Sequence, residues 1–351
     1  MTRTLIARLD NIGDVLLTGP GVRAVSQAGT EVTYLAGKAG ARAAELLPGV
    51  SRVITFDAPW VAFDAPEVEP DKIKQAIADI ESVEASDAII LTSFHQSPLP
   101  LALLMRMAGV PRIAATCVDY PGRLLDVRHP YLDDAHEVEQ TLSLCRASGY
   151  PLADHDDRAL RIDLPHSVVL EAHPAASYVV VHPGASVPAR QLPVGTASGV
   201  VKALVAAGRH VVVTGTASEL ALARRVTAGV DPDRVTVAAG TTDLVDVARV
   251  IAGADAVVCG NTGAVHLAAA VGTPVVEAFA PVVPAHRWYP WMVPHALLGR
   301  LSIECSGCRA RACPIPGQPC LQPFTVEAVL DAIERIARRP TPTPSHGRRA
   351  A

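Results

Sequence analysis

Aromatic side chains are scarce: Phe, Tyr and Trp together make up 4% of the 351 residues. Ala, Val and Leu dominate instead, which suits helix-covered parallel sheets better than sandwiches built on aromatic cores. A surplus of basic charge is also missing, since 31 Lys and Arg face 35 Asp and Glu for a formal charge of −4. This excludes a broad nucleic-acid-binding face, so no nucleic-acid partner is expected. The amino-terminal residues lack a signal-peptide core, because Leu5-Ile6-Ala7 is the only apolar run before Arg8 and Asp10. A cytoplasmic setting with reduced thiols follows as the expectation. The length suits two domains, each burying its own core.

An uninterrupted membrane span is absent as well. The nearest approach, Asp255 to Pro281, has Glu277 as its one charge after Asp255 and is broken by Gly260, Asn261, Gly263, Gly272 and Pro274. It reads as strand, turn, short helix, turn, strand, the pattern of a buried parallel sheet. The same alternation starts at Leu5–Leu9 and runs through strands at 31–35, 52–56, 88–91 and 112–115, with helices at about 14–28, 41–47, 73–80 and 98–108. From Cys117 to Pro151 it loosens into a loop and one helix near 136–147. It restarts at Tyr178 with strands at 178–181, 210–214 and 234–237 and helices at 196–207, 218–228 and 243–254. After Pro281 the chain reads as irregular up to a helix at 325–337. The predicted fold class is therefore α/β, with two Rossmann-like parallel-sheet units at 1–170 and 171–337, a cleft between their carboxyl ends, and a disordered basic tail at 338–351.

Several residues sit where chemistry is expected in such a cleft. Asp14, in Asn11-Ile12-Gly13-Asp14, follows the first strand and opens the first helix, where it fits either a proton acceptor or an ordinary N-cap. Gly184 lets the loop after Tyr178–Val181 approach a ligand, and Arg190 adds a charge suited to phosphate, although a plain turn with a surface Arg fits equally. Asn261-Thr262-Gly263 places free N–H groups at a helix start, and His266 lies just inside that helix as a ligand contact or a bonded core residue. Of seven cysteines, Cys117, Cys145 and Cys259 read as small core residues. Cys305, Cys308, Cys313 and Cys320 cluster within sixteen positions, which fits a structural zinc or iron–sulfur group, or free thiols in a Pro-rich loop.

The pieces RLDNIGDVLLTGPGVRAV, HPGASVPARQLP and CGNTGAVHLAAAVGTPVVEAFAP, in this order, resemble glycosyltransferase family 9, the ADP-heptose:lipopolysaccharide heptosyltransferase group. His136-Glu137-Val138-Glu139 is similar to a His-x-x-Glu helix of that family, and the late cysteines are similar to a cluster in many members. The resemblance implies a GT-B architecture, an ADP-heptose donor, a glycan or glycolipid acceptor with peripheral contact at the inner face of a membrane, and no cofactor for catalysis. It implies Asp14 as general base, Asn11 and Gly13 on the acceptor side, and Arg190, in place of a Lys, on the donor phosphates. It also implies Gly184, Thr262, Gly263 and His266 at the donor, Glu219 at its ribose and Thr242 at its adenine. One position departs. Asn261 stands where the heptosyltransferases carry an Asp that holds donor-sugar hydroxyls, and Asn donates as well as accepts. That leaves room for another nucleotide sugar with a small-molecule acceptor, or for a binding protein without catalysis.

Overall fold

A computed structural model describes residues 2–61, 65–165 and 177–337. The expected boundary at 170/171 and the tail from 338 lie outside the described residues. The first sheet contains β1 (Arg3–Arg8), β2 (Glu31–Ala36), β3 (Val50–Thr55), β4 (Asp87–Ile90), β5 (Arg112–Thr116) and β6 (Val127–His129). Its spatial order is β3-β2-β1-β4-β5-β6, and every pairing is parallel. The second contains β7 (Tyr178–His182), β8 (His210–Val213), β9 (Val235–Val237), β10 (Ala256–Gly260), β11 (Val275–Ala278) and β12 (His295–Leu298). Its order, β12-β11-β10-β7-β8-β9, repeats the first topology, again wholly parallel.

Helices cover both faces, as β-branched strands buried on two sides require. In the first unit they are α1 (Ile12–Leu17), α2 (Gly19–Ser26), α3 (Lys38–Ala44), α4 (Pro70–Glu81), α5 (Leu99–Met107) and α6 (Glu137–Ala147). In the second they are α7 (Val194–Ala206), α8 (Leu220–Val226), α9 (Leu244–Ala252), α10 (Gly263–Ala270), α11 (Ala285–Trp288) and α12 (Val326–Ile336). Successive strand residues feed opposite cores: Val180, Val257 and Val275 pack on one side of the second sheet, and Val179, Val181, Val258 and Val276 on the other. Among the described residues, no helix is long and apolar enough to cross a membrane.

Three sequence expectations need correction. The helix expected over 14–28 is two, because Thr18 turns its hydroxyl onto the Val15 carbonyl at 2.7 Å and Tyr34 Oη at 2.8 Å, and Pro20 cannot supply the next N–H. The loop expected after Cys117 holds β6, and the irregular segment after Pro281 holds β12. Both are short strands at sheet edges, too brief to show a period.

The two units meet across α1 and α10. A Cβ on Gly13 would lie 2.7 Å from the His266 ring, so only glycine permits this approach. Further out, His136 caps α6: its Nδ1 accepts from Val138 N at 3.2 Å, and its Nε2 donates to the Tyr289 carbonyl at 3.0 Å. The ring stacks on Trp291, with centroids 4.5 Å apart, and Trp291 Nε1 donates to the Arg158 carbonyl at 2.9 Å. One ring nitrogen accepts and the other donates, so the neutral tautomer is required.

Burial pushes His136 down to about 3 and His266 down to about 4, from 6.5. A depressed histidine gives stability that is whole above pH 6.5 and is lost as pH falls toward the folded value, at about 1.4 kcal/mol per pH unit and ring. Urea unfolding is therefore expected to show a lower midpoint at pH 5 than at pH 7; equal midpoints would contradict two buried neutral rings. Packing gives a second expectation. A Cβ on Gly21 of α2 would lie 2.5 Å from Thr141 Cγ2 and 3.1 Å from Cys145 Sγ of α6. Gly21→Val should lower stability by about 1–3 kcal/mol, read from thermal unfolding, whereas exposed Gly195→Ala, with open space around its Cβ, should not lower it.

Candidate active site in the interdomain cleft

In each sheet the strand order reverses between two neighbours, β1 and β4 in the first and β7 and β10 in the second. Loops leaving the carboxyl ends of such strands diverge and open a crevice. Here the crevices face each other: Gly263, at the start of α10, lies against the backbone of Gly13, at the start of α1. Asp14, Arg190, Asn261, Thr262, Gly263 and His266 all belong to these loops or to the first turns after them.

On the first unit's side the organising group is Arg8, at the end of β1 and 2% exposed. Its Nη2 donates to Asp14 Oδ1 at 3.1 Å and to Ser93 Oγ at 2.8 Å. Its Nε lies 2.5 Å from Asp10 Oδ2, and its Nη1 lies 3.6 Å from Glu137 Oε2. Gln96 Nε2 donates to the other Asp10 oxygen at 2.5 Å. Burial raises Asp10 and Glu137, and Arg8 pulls both back. Asp14 lies in the first turn of α1, and the N-cap there is Asn11, without a side-chain bond. The N-cap reading of Asp14 therefore falls away. Gly13 touches the second unit, and Asn11 is exposed at the cleft edge.

Across the cleft, Arg190 ends a short 3-10 turn, Pro188–Arg190. Its backbone presses on β10: a Cβ on Gly260 would fall 1.9 Å from the Arg190 carbonyl oxygen. Burial lowers the Arg190 guanidinium, while Asp14 and Glu277 oppose the shift, so the cation lies between two acids. Glu277, on β11, is fully buried, and neither carboxyl oxygen has a hydrogen-bond partner among the described residues. Burial drives it well above the carboxylate range against the pull of Arg190, which favours the neutral acid. Asn261 Nδ2 donates to the Ala280 carbonyl at 3.2 Å and leaves Oδ1 unpartnered. Thr262 caps α10, its Oγ1 accepting from Ala264 N at 3.3 Å. The Nδ1 of His266 is buried without a hydrogen-bond partner among the described residues, as is Arg190 Nε.

Gly184 and Glu219 form a second contact in this unit. A Cβ on Gly184 would fall 1.9 Å from Glu219 Oε1, and Glu219 Oε2 accepts from Thr216 N at 2.7 Å. Thr242 lies in the loop before α9 and donates to the Ala238 carbonyl at 3.1 Å. The four clustered cysteines lie on the segment whose Arg311 carbonyl accepts from Ala189 N at 2.8 Å, beside the Arg190 turn. Cys308 is exposed, Cys305 and Cys313 are half-buried and Cys320 is buried, all as free thiols. Among the described residues, no group of three or more His, Cys, Asp or Glu side chains is placed to hold a metal ion.

Four participants escaped the sequence reading: Arg8, Glu137, Arg287 and Glu277. Glu277 did leave a signal, as the lone charge in an otherwise apolar strand. Arg287, on α11, reaches into the first unit. Its Nη2 donates to the Leu132 and Asp133 carbonyls at 3.0 Å each, and its Nη1 lies 3.5 Å from Glu137 Oε1. Its guanidinium also stands 5.5 Å from the ring centroid of Phe94, with Arg309 at 4.8 Å from the same centroid.

Comparison with known proteins gives a consistent result. Residues 88–318 match the family described as glycosyltransferase family 9 (heptosyltransferase). No curated protein sequence matches the chain. Among solved structures, a family 9 glycosyl transferase from Veillonella parvula is 16% identical, with 95% of this chain and 97% of that one covered at a TM-score of 0.76. Heptosyltransferase II of E. coli is 19% identical over 96% and 98%, TM-score 0.71. E. coli WaaC with ADP-2-deoxy-2-fluoro heptose is 22% identical over 95% and 99%, TM-score 0.70. These likenesses establish the fold as GT-B, two Rossmann-like units facing a cleft, and the sequence match establishes the rest: the chain belongs to glycosyltransferase family 9 and is a glycosyltransferase.

Proposed function

We propose that the protein moves a heptose or related sugar from an ADP-activated donor to a hydroxyl of a glycan or glycolipid, with inversion at the anomeric carbon. The observation that carries this reading is the meeting of the two crevices, with Asp14 on one wall and Arg190 opposite it within electrostatic reach. WaaC, in the same fold, was crystallised with ADP and with an ADP-heptose analogue, which supports an adenine nucleotide as donor.

In this reading Asp14 takes the proton of the acceptor hydroxyl as its oxygen attacks the anomeric carbon from the side opposite the leaving group. Arg8 holds one carboxylate oxygen and thereby orients the other. The bond to ADP breaks, and the diphosphate gains negative charge. Arg190 and the first-turn N–H groups of α10 meet that charge, so the reading calls for no cofactor. Glu219 takes the ribose, Thr242 the adenine, and Gly184 keeps the intervening loop low. Asn261 offers its free Oδ1 to a donor hydroxyl. A glycolipid acceptor would bring the protein to the inner face of a membrane as a peripheral visitor.

Thermal unfolding with ADP, UDP and GDP tests the donor: ADP alone should raise the midpoint, and about 2.7 kcal/mol is expected at 100 times its dissociation constant. Stabilisation by UDP and not ADP would overturn the donor assignment. Asp14→Asn should lower kcat by about 10²–10⁴-fold while ADP binding persists. Arg190→Ala should weaken ADP at least tenfold, and an unchanged affinity would remove Arg190 from the phosphates.

A further inference from the structure

The network around Arg8 does not end within the first unit. Glu137 is 2% exposed and lies at the first turn of α6, with one oxygen 3.6 Å from Arg8 and the other 3.5 Å from Arg287. Arg287 is 6% exposed and comes from the second unit, where it is fixed by two backbone carbonyls of the first. A continuous line of alternating charge thus runs Asp14, Arg8, Glu137, Arg287 across the domain boundary. We propose that Glu137 is a positioning residue for the transfer reaction, carrying the docking of Arg287 through Arg8 to the carboxylate of Asp14. The proposal rests on the reading of Asp14 as the base.

The physical argument is one of sharing. Arg8 is a single cation gripped by Asp10, Asp14 and Glu137, so what Glu137 draws from it is withdrawn from Asp14. Arg287 lies 3.5 Å from the far oxygen of Glu137, an ion pair without a hydrogen bond, and by drawing on that side leaves more of Arg8 for Asp14. With the units apart, Glu137 would turn wholly on Arg8 and loosen the base. Docking of the second unit, which also brings Arg190 and the donor turn, therefore firms the hold of Arg8 on the Asp14 carboxylate at the moment it is needed. The other titratable groups close to Asp14 are Asp10, Tyr34, His95 and Arg190, with the neutral His266 against Gly13. Tyr131 stands beside Glu137. None of these bridges the two units as the Glu137–Arg287 pair does, apart from Arg190, which acts on Asp14 directly.

The test uses the full chain and initial rates of ADP release from ADP-heptose with water as acceptor. Glu137→Gln and Arg287→Met should each lower kcat by about tenfold while KM for the donor stays within about twofold, and Arg287→Lys should restore most of kcat. A purely structural pair would lower thermal stability and leave kcat per folded molecule where it was. Unchanged kcat in folded Glu137→Gln and Arg287→Met would overturn the proposal. The base reading fails separately: release of ADP from ADP-heptose, with water as acceptor, undiminished in Asp14→Asn would remove it whatever Glu137 does.

Discussion

Burial of Arg8 is the constraint on which the site depends. A guanidinium keeps its charge at every pH the protein meets, so it cannot escape desolvation by losing a proton. It must be surrounded by acceptors, and it is: Ser93, Asp10, Asp14 and Glu137 converge on it from the ends of β4 and β1, from α1 and from α6. One cation thereby holds four separate pieces of backbone at the crevice. The three carboxylates are not equivalent. The Glu137 side chain is 3% exposed and that of Asp10 10%, whereas Asp14 retains 23%. The packing that traps two acids as counter-ions leaves the third facing the cleft, where an incoming hydroxyl can reach it.

The second constraint is the close approach of backbone to backbone. Both units share one topology, so each brings a crevice at the same relative place. Bringing the crevices together requires that nothing stand between α1 and α10, and Gly13 supplies the missing volume. Gly260 does the same for Arg190, whose carbonyl occupies the space a side chain would take, and so fixes where that guanidinium starts. Small residues therefore set the width of the cleft, and charged ones set its field.

Much of the fold could be read from the chain because central parallel strands are buried on both faces. Runs such as Tyr178–Val181 and Ala256–Cys259 have no other reading when Gly and Pro bound them. The short edge strands β6 and β12 carry too few residues for a pattern, and the break at Thr18 is hidden because apolar spacing continues through it. Asp14, Arg190 and Asn261–His266 were visible because local turn chemistry marks strand-to-helix junctions. The ion network was not. Arg8, Glu137 and Arg287 lie more than a hundred positions apart from one another, and each alone resembles any other charged residue; only the fold makes them neighbours.

The donor side poses a problem of opposite kind, an excess of unpaired polar atoms. Arg190 Nε, Asn261 Oδ1, His266 Nδ1 and both oxygens of Glu277 lack hydrogen-bond partners among the described residues. Buried polar groups without partners cost free energy unless something else supplies the bond. Glu277 and Arg190 feel each other, yet they form no ion pair within 4.0 Å among the described residues. Were Glu277 ionised, it would claim the guanidinium and repel a diphosphate. As a neutral acid it does neither, and Arg190 stays free to meet the developing charge of a leaving nucleotide. In the proposed reading, Asn261 in place of Asp works in the same direction, keeping a second negative charge away from the donor phosphates while offering an acceptor to a sugar hydroxyl. The donor end of this cleft is thus built, in the same reading, on an acid made neutral and an amide, and its acceptor end on a carboxylate held by Arg8.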